Sequence, residues 1–141
     1  MRGQSSLELF VTLGVVISFT IPVILLLLSV SSVGYEDTAK AQADAAARSL
    51  ADNINTVYAQ GKGAQREVLL NVPPSTESIS VSGGEVTISI KTSGGTFDAS
   101  APTIAKAVTI PKPLEGKAGL FRLIVRAKDK GVVELVDPNA T

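Results

Sequence analysis

A single carboxylate, Glu8, lies at the start of a long apolar stretch and is the side chain in this sequence that most needs a chemical partner. Residues 9–35 contain no charged side chain, whereas about 20 apolar residues are enough for a helix to cross a bilayer. A charge without a partner in hydrocarbon costs roughly 2.5 to 3.5 kcal/mol on insertion scales. We therefore expect a membrane-spanning segment and a partner for Glu8 at its entrance.

The rest of the sequence offers little material for catalysis. Cysteine, histidine and tryptophan are absent, which excludes a disulfide framework, thiolate chemistry and imidazole as a metal ligand or proton carrier. The carboxylates are scattered over predicted turns and outward strand positions, where solvated charges are expected rather than acid–base pairs. We expect no enzyme, no catalytic residue, no metal and no cofactor.

Charge does not indicate a nucleic-acid partner either, because Lys and Arg number 13 and Asp and Glu also number 13. The last predicted hairpin is locally basic but has no interleaved aromatic residues for base stacking, which favours solvated charges. Its cations are Arg122, Arg126, Lys128 and Lys130. The string Asn139-Ala140-Thr141 matches the acceptor triplet for N-glycosylation and makes Asn139 a candidate site.

The apolar run continues into a second helix-forming stretch. Residues 36–59 are rich in alanine and contain neither glycine nor proline. Apolar residues spaced by three and four predict one buried face, made of Ala43, Ala46, Ala47, Leu50, Ile54 and Val57. Charges spaced by four predict a solvated face, made of Glu36, Lys40, Asp44, Arg48 and Asp52. Residues 5–60 are thus predicted to form one helix, about 80 Å long.

Three residues of the apolar half are candidates for helix packing and bending. Gly14 and Ser18 have the spacing at which small side chains let helices approach closely in lipid. Pro22 lacks an N–H and is expected to kink or loosen the helix. The alternative is that glycine and proline are simply commoner in membrane helices than in soluble ones.

A secretory signal peptide is the first alternative for this amino-terminal region. Arg2 would be its basic end, and the small residues around positions 39–43 would be its cleavage site. The apolar run, however, exceeds the roughly 7 to 15 residues of a signal core, and Glu8 interrupts its junction with the basic end. A retained segment with Arg2 on the cytoplasmic side is favoured.

After Gly63 the pattern changes from helical to strand-like. The string Ser82-Gly83-Gly84-Glu85 predicts a two-residue hairpin turn. That register sets Ile79 opposite Ile88 and Val81 opposite Val86, so the apolar faces coincide. A second turn at Gly94-Gly95 is expected to add Phe97, Ala99 and Ala101 to the face of Ile88 and Ile90.

Further strands are predicted over residues 104–110, 120–127 and 132–136, with a turn at residues 128–131. Six or seven short strands indicate a small β-sandwich or open barrel. The predicted fold class is α+β, with one long helix carrying a small antiparallel β-sandwich head.

The opening string Gly3-Gln4-Ser5-Ser6-Leu7-Glu8, followed directly by the apolar helix, resembles the class III signal peptide of archaeal type IV pilin precursors. The shared pattern is Q-x-S-x-E, matched by Gln4, Ser6 and Glu8. The resemblance covers about 35 residues closely, and the rest agrees only in architecture, a helix with a β head that is often immunoglobulin-like.

This resemblance implies cleavage by a prepilin peptidase between Gly3 and Gln4, which leaves a leader of residues 1–3, a helix over 4–61 and a head over 62–141. About residues 9–34 would cross the membrane before assembly. Glu8 would then meet the terminal amine of a neighbouring copy. An assembly ATPase and membrane platform would build an adhesive extracellular homopolymer from precursors held in the cytoplasmic membrane. A membrane-tethered surface binding protein with an uncleaved anchor is the alternative.

Overall fold

The computed structural model describes residues 2–110, 114 and 116–139. It divides into two compact units, Met1–Asp37 and Thr38–Thr141. A single helix, α1 (Arg2–Gln60), begins in the first unit and ends in the second, which confirms the long predicted helix. Gly61 ends it with a φ of 86°, the left-handed conformation in which glycine stops helices, and its N–H donates to the carbonyl oxygens of Val57 and Tyr58.

Seven strands follow α1 in the described residues, arranged in two sheets. They are β1 (Gln65–Val72), β2 (Thr76–Ser82), β3 (Glu85–Thr92), β4 (Gly95–Pro102), β5 (Ala107–Thr109), β6 (Gly119–Ala127) and β7 (Val132–Val136). One sheet has the order β1-β6-β7-β5, and the other is a meander of β2, β3 and β4. The mixed α+β class is confirmed.

The predicted register of the meander is confirmed. Ile79 pairs with Ile88, and Val81 pairs with Val86. Gly83 and Gly84 have φ angles of 61° and 78°, which a two-residue turn of this kind requires and which glycine adopts without steric cost. Across the second turn, Ala99 and Ala101 pair with Ile88 and Val86, and Phe97 pairs with Ile90.

The strand predicted over residues 104–110 is much shorter in the structure, where β5 begins only at Ala107. The preceding segment is held by the helix instead, because the N–H of Ile104 donates to Oδ1 of Asn55 at 2.8 Å. β5 then pairs with β7 in parallel, so the four-stranded sheet is mixed rather than wholly antiparallel.

Two further features differ from the sequence-based expectation. β1 was not among the individually predicted strands, although it pairs along its whole length with β6. The strand order also differs from that of a constant-type immunoglobulin domain, in which the first two strands share a sheet with the fourth and fifth.

The core of the second unit is one cluster shared by the helix and both sheets. The six predicted helix residues are all buried, together with Ala51. Ile88 and Ile90 of β3, and Leu123 and Val125 of β6, are fully buried in the same cluster. Each large aliphatic side chain buried in this way contributes roughly 1.5 to 3 kcal/mol of hydrophobic stabilisation.

One carboxylate lies inside this unit and has an internal partner. Asp137 follows β7, and its buried side chain forms an ion pair with Lys117, which precedes β6. Its Oδ1 also accepts the N–H of Asn139 at 2.8 Å. The ammonium of Lys117 lies 5.4 Å from the ring centroid of Phe121. The buried charge is therefore paired and hydrogen-bonded, as burial of a charge requires.

Candidate processing and membrane site

The predicted motif residues all lie in the first two turns of α1. Gly3, Gln4, Ser6 and Glu8 are helical and exposed. Gln4 and Glu8 are four residues apart, so their side chains project from the same side of the helix, about 5 to 6 Å apart at Cβ. The hydroxyl of Ser6 donates to the carbonyl oxygen of Arg2 at 3.4 Å.

The peptide bond between Gly3 and Gln4 lies in the part of a helix that opens most easily. The first four N–H groups of any helix have no partner within it. No heavy atom lies within 4 Å of the position that a Cβ on Gly3 would occupy. The candidate cleavage bond therefore lies in an exposed first turn of the helix.

Glu8 has no internal partner for its charge in the part of the chain that the structure describes. None of the ion pairs there includes its carboxylate. Its main-chain carbonyl oxygen, by contrast, accepts the hydroxyl of Thr12 at 2.8 Å. In water this exposed carboxylate is stable as it is, but in hydrocarbon it needs a cation from outside the chain.

The apolar half of α1 is exposed in the part of the chain that the structure describes. Its large apolar side chains between Leu7 and Tyr35 are 45% to 77% exposed. By length and composition this helix can cross a membrane, and none of its most apolar window is buried, unlike the core helix of a soluble protein. The first unit is therefore a candidate membrane anchor.

Hydroxyl groups in this half donate hydrogen bonds to carbonyl oxygens of the same helix. Thr12, Ser18 and Thr20 donate to the carbonyl oxygens four residues earlier at 2.7 to 2.8 Å. Ser32 donates to the carbonyl oxygen of Ser29 at 2.9 Å. These hydroxyl donors are satisfied without water, which suits a helix surrounded by lipid.

The packing candidates lie along one side of this half. Gly14, Ser18 and Pro22 follow one another at four-residue intervals, and no heavy atom lies within 4 Å of a Cβ placed on Gly14. The carbonyl oxygen of Ser18 lacks its usual helical donor because residue 22 is a proline. The helix continues through Pro22, and the effects of these residues on bending and packing stay predictions.

Other candidate positions fall elsewhere. Asn139 is exposed, but Ala140 and Thr141 of its acceptor triplet lie outside the described residues. Over residues 2–110, 114 and 116–139, no group of three or more Asp, Glu, His or Cys side chains could hold a metal ion.

A cavity that no sequence pattern predicted lies between the carboxyl-terminal end of α1 and the turn that joins β6 to β7. Tyr58, Lys62, Lys128 and Lys130 are among its lining residues. The basic character of the last hairpin was the available signal. The hairpin meets Tyr58 and Lys62 only through a tertiary contact between segments that are distant in sequence.

Comparison with known proteins identifies no relative: no family model, curated protein or solved structure matches the chain. The opening motif and the exposed apolar half of α1 are therefore the features that bear on function.

Proposed function

We propose that this chain is a structural subunit of an archaeal type IV pilus, made as a membrane precursor and polymerised into an adhesive filament outside the cell. The observation that carries the proposal is the uncovered apolar half of α1. This half continues into a helix face that is fully covered by the β sheets. The string Gln4, Ser6 and Glu8 at its entrance adds the processing motif.

Cleavage between Gly3 and Gln4 creates the cation that Glu8 lacks. The new terminus is an ammonium on the same side of the helix as the carboxylate. Each of these charges is costly alone in an apolar helix bundle, whereas a pair formed between neighbouring copies removes most of that cost. If Gln4 cyclises, this ammonium is lost and another donor must meet Glu8.

Assembly then transfers the apolar half from lipid to a bundle of identical helices. That transfer gives little hydrophobic gain, because lipid is as apolar as the helices, so close packing must hold the filament. Gly14 and Ser18 are the residues we assign to this packing. The proposed partners are other copies of the chain, a prepilin peptidase, and the ATPase and membrane platform that supply energy for extraction.

The deciding measurement is the mass of the amino-terminal peptide from protein sheared from the surface of its native host. We expect a start at Gln4, with or without the loss of ammonia that marks cyclisation. Material that begins near Gln42 or Asp44 would instead indicate a secreted domain. An intact Met1 found only in membranes would favour a tethered binding protein.

Two variants separate cleavage from assembly. Gly3→Phe should leave uncut precursor in the membrane, because a bulky residue is expected to prevent cleavage, whereas Gly3→Ala should still be cut. Glu8→Ala should be cut but should not assemble, and Glu85→Ala, at an exposed glutamate that begins β3, is its matched control. Normal filaments from Glu8→Ala would contradict the pairing argument.

A further inference from the structure

A cavity of about 390 Å³ opens where the carboxyl-terminal end of α1 meets the turn between β6 and β7. Its walls combine the Tyr58 ring, the backbone of Gly61 and Gly131, and the side chains of Lys62 and Lys130. The volume falls in the lower part of the range of small-ligand pockets, about 300 to 1,000 Å³. The opening is thus large enough for a small polar ligand.

Cations outnumber anions around this opening. Lys62 pairs with Asp129 at 2.9 Å, and Lys128 pairs with Glu134 at 2.9 Å. Both carboxylates are therefore already engaged.

Two more lysines carry the excess positive charge. Lys130 lines the cavity. Cδ of Lys106 lies 3.5 Å from the position that a Cβ on Gly131 would occupy. Within the described ranges neither ammonium has an ion-pair partner. Lys130 thus lines the opening without an ion-pair partner in the described residues, and the side chain of Lys106 passes beside Gly131 in its wall.

The backbone holds Lys130 in a conformation that does not favour lysine. Its φ of 62° and ψ of 29° are left-handed, and it is the sole residue other than glycine with a positive φ in the described part of the chain. Glycine or asparagine adopts this conformation at lower cost. A lysine at such a position points to a role for its side chain.

The next residue, Gly131, leaves room for the Tyr58 ring at the wall of the cavity. At Gly131 a Cβ would lie 3.2 Å from Cε2 of Tyr58, closer than most real contacts of that kind. The absence of this Cβ allows the Tyr58 ring to approach the turn that carries Lys130. The aromatic ring and the cation are therefore held beside the same opening.

We infer that this cavity is an anion-binding site, which takes a carboxylate, sulfate or phosphate group at Lys130, with Lys106 beside its Gly131 wall as the second source of positive charge. Hydrogen bonds from ammonium groups to such anions are charge-assisted and stronger than neutral ones. The Tyr58 ring adds an apolar wall for a ligand as large as a sugar. This site belongs to the second unit and does not depend on whether the chain polymerises.

The test titrates the full-length protein, held in an uncharged detergent that is not a glycoside, with glucuronate, inorganic phosphate and glucose. Calorimetry measures affinity, and the amide resonance of Gly131 reports the location. We expect binding of glucuronate or phosphate that weakens with added sodium chloride, and no binding of glucose. Glucuronate binding alone identifies an acidic sugar as the source, and equal binding of phosphate identifies a free anion. Absence of binding by both anions would overturn the site.

A double variant, Lys106→Gln with Lys130→Asn, removes both unpaired cations while asparagine keeps the left-handed backbone. We expect affinity for the anion to fall by about tenfold or more, the loss expected of charge-assisted hydrogen bonds. Lys91→Gln removes an exposed lysine from the other sheet and is the matched control. Unfolding temperatures equal to that of the parent protein exclude misfolding. Unchanged affinity in the double variant would refute the assignment.

Discussion

The two halves of α1 have the same backbone structure and opposite surroundings. In residues 38–60, apolar side chains such as Leu50 and Ile54 are fully buried against the sheets. In residues 7–35, apolar side chains such as Leu26, at 65% exposed, have no such cover. One half finds its apolar environment in its own chain, whereas the other presents an apolar surface to its surroundings, as a candidate membrane anchor does.

The carboxylates of the two units repeat this contrast. Asp137 is buried and finds an ammonium, Lys117, in its own unit. Glu8 is exposed and pairs with no cation of the described chain. The difference teaches that the described part of the second unit pairs its buried charge internally, whereas the first unit leaves both an apolar surface and a charge exposed.

The largest difference in unfolding free energy should come from truncating one leucine in each half. Leu50→Ala removes a fully buried side chain and should lower the free energy of unfolding of the second unit by about 2 to 5 kcal/mol. Leu26→Ala should leave that free energy unchanged, because Leu26 contributes nothing to the core. Urea unfolding in detergent, followed by circular dichroism, measures both. Equal losses would show that the apolar half is part of the folded core.

The carboxylates give the next contrast. Asp137→Asn keeps the shape but removes the charge that pairs with Lys117, and it should cost about 1 to 3 kcal/mol of unfolding free energy. Glu8→Gln should have no effect on the same transition. Calorimetric melting of the full chain in detergent distinguishes them. A stable Asp137→Asn variant would mean that the ion pair contributes nothing net.

Replacing one glycine in each unit by alanine gives a third contrast, in the effect of an added methyl group. Gly131→Ala places a Cβ at a φ of 74° and 3.2 Å from Tyr58, and should destabilise the second unit by about 1 to 2 kcal/mol. Gly14→Ala meets no atom within 4 Å and should leave the melting of the second unit unchanged. If Gly14 packs against another copy, filament yield should fall while precursor levels stay constant. Normal filaments would remove Gly14 from the packing surface.

The smallest effect is expected on the charged face of the covered half. Arg48 pairs with Asp44 at 3.0 Å, but both side chains are well exposed to solvent. Arg48→Ala should therefore cost only about 0.3 to 0.5 kcal/mol, and less at high salt. Urea unfolding at two salt concentrations measures this. A loss above 1 kcal/mol would contradict the expectation of a solvated face.

Local patterns predicted the helix and the meander well. The buried face of α1 follows from apolar spacing, and the pairing of Ile79 with Ile88 follows from the turn at Gly83 and Gly84. β1 was harder to see, because Leu69 faces outward at 60% exposed beside the buried Leu70 and so masks the alternation.

Contacts between distant segments were not predictable from such patterns. The parallel pairing of β5 with β7 and the Lys117–Asp137 ion pair depend on tertiary structure. For the site, the sequence indicated the motif around Glu8 and the apolar run. The structure adds that nothing in the described chain covers that run, and that Tyr58 and Lys130 line one cavity.

The hydroxyl groups of the apolar half have one more consequence. The hydroxyl groups of Thr12, Ser18 and Thr20 donate to carbonyl oxygens of their own helix, so these donors need no hydrogen bond from the surroundings. Exchange of lipid for a protein surface would break none of these bonds. The hydrogen-bonding enthalpy of these hydroxyl groups would therefore be nearly the same in both surroundings. If the helix moves from lipid into a helix bundle as proposed, these hydroxyl groups would neither drive nor oppose the transfer.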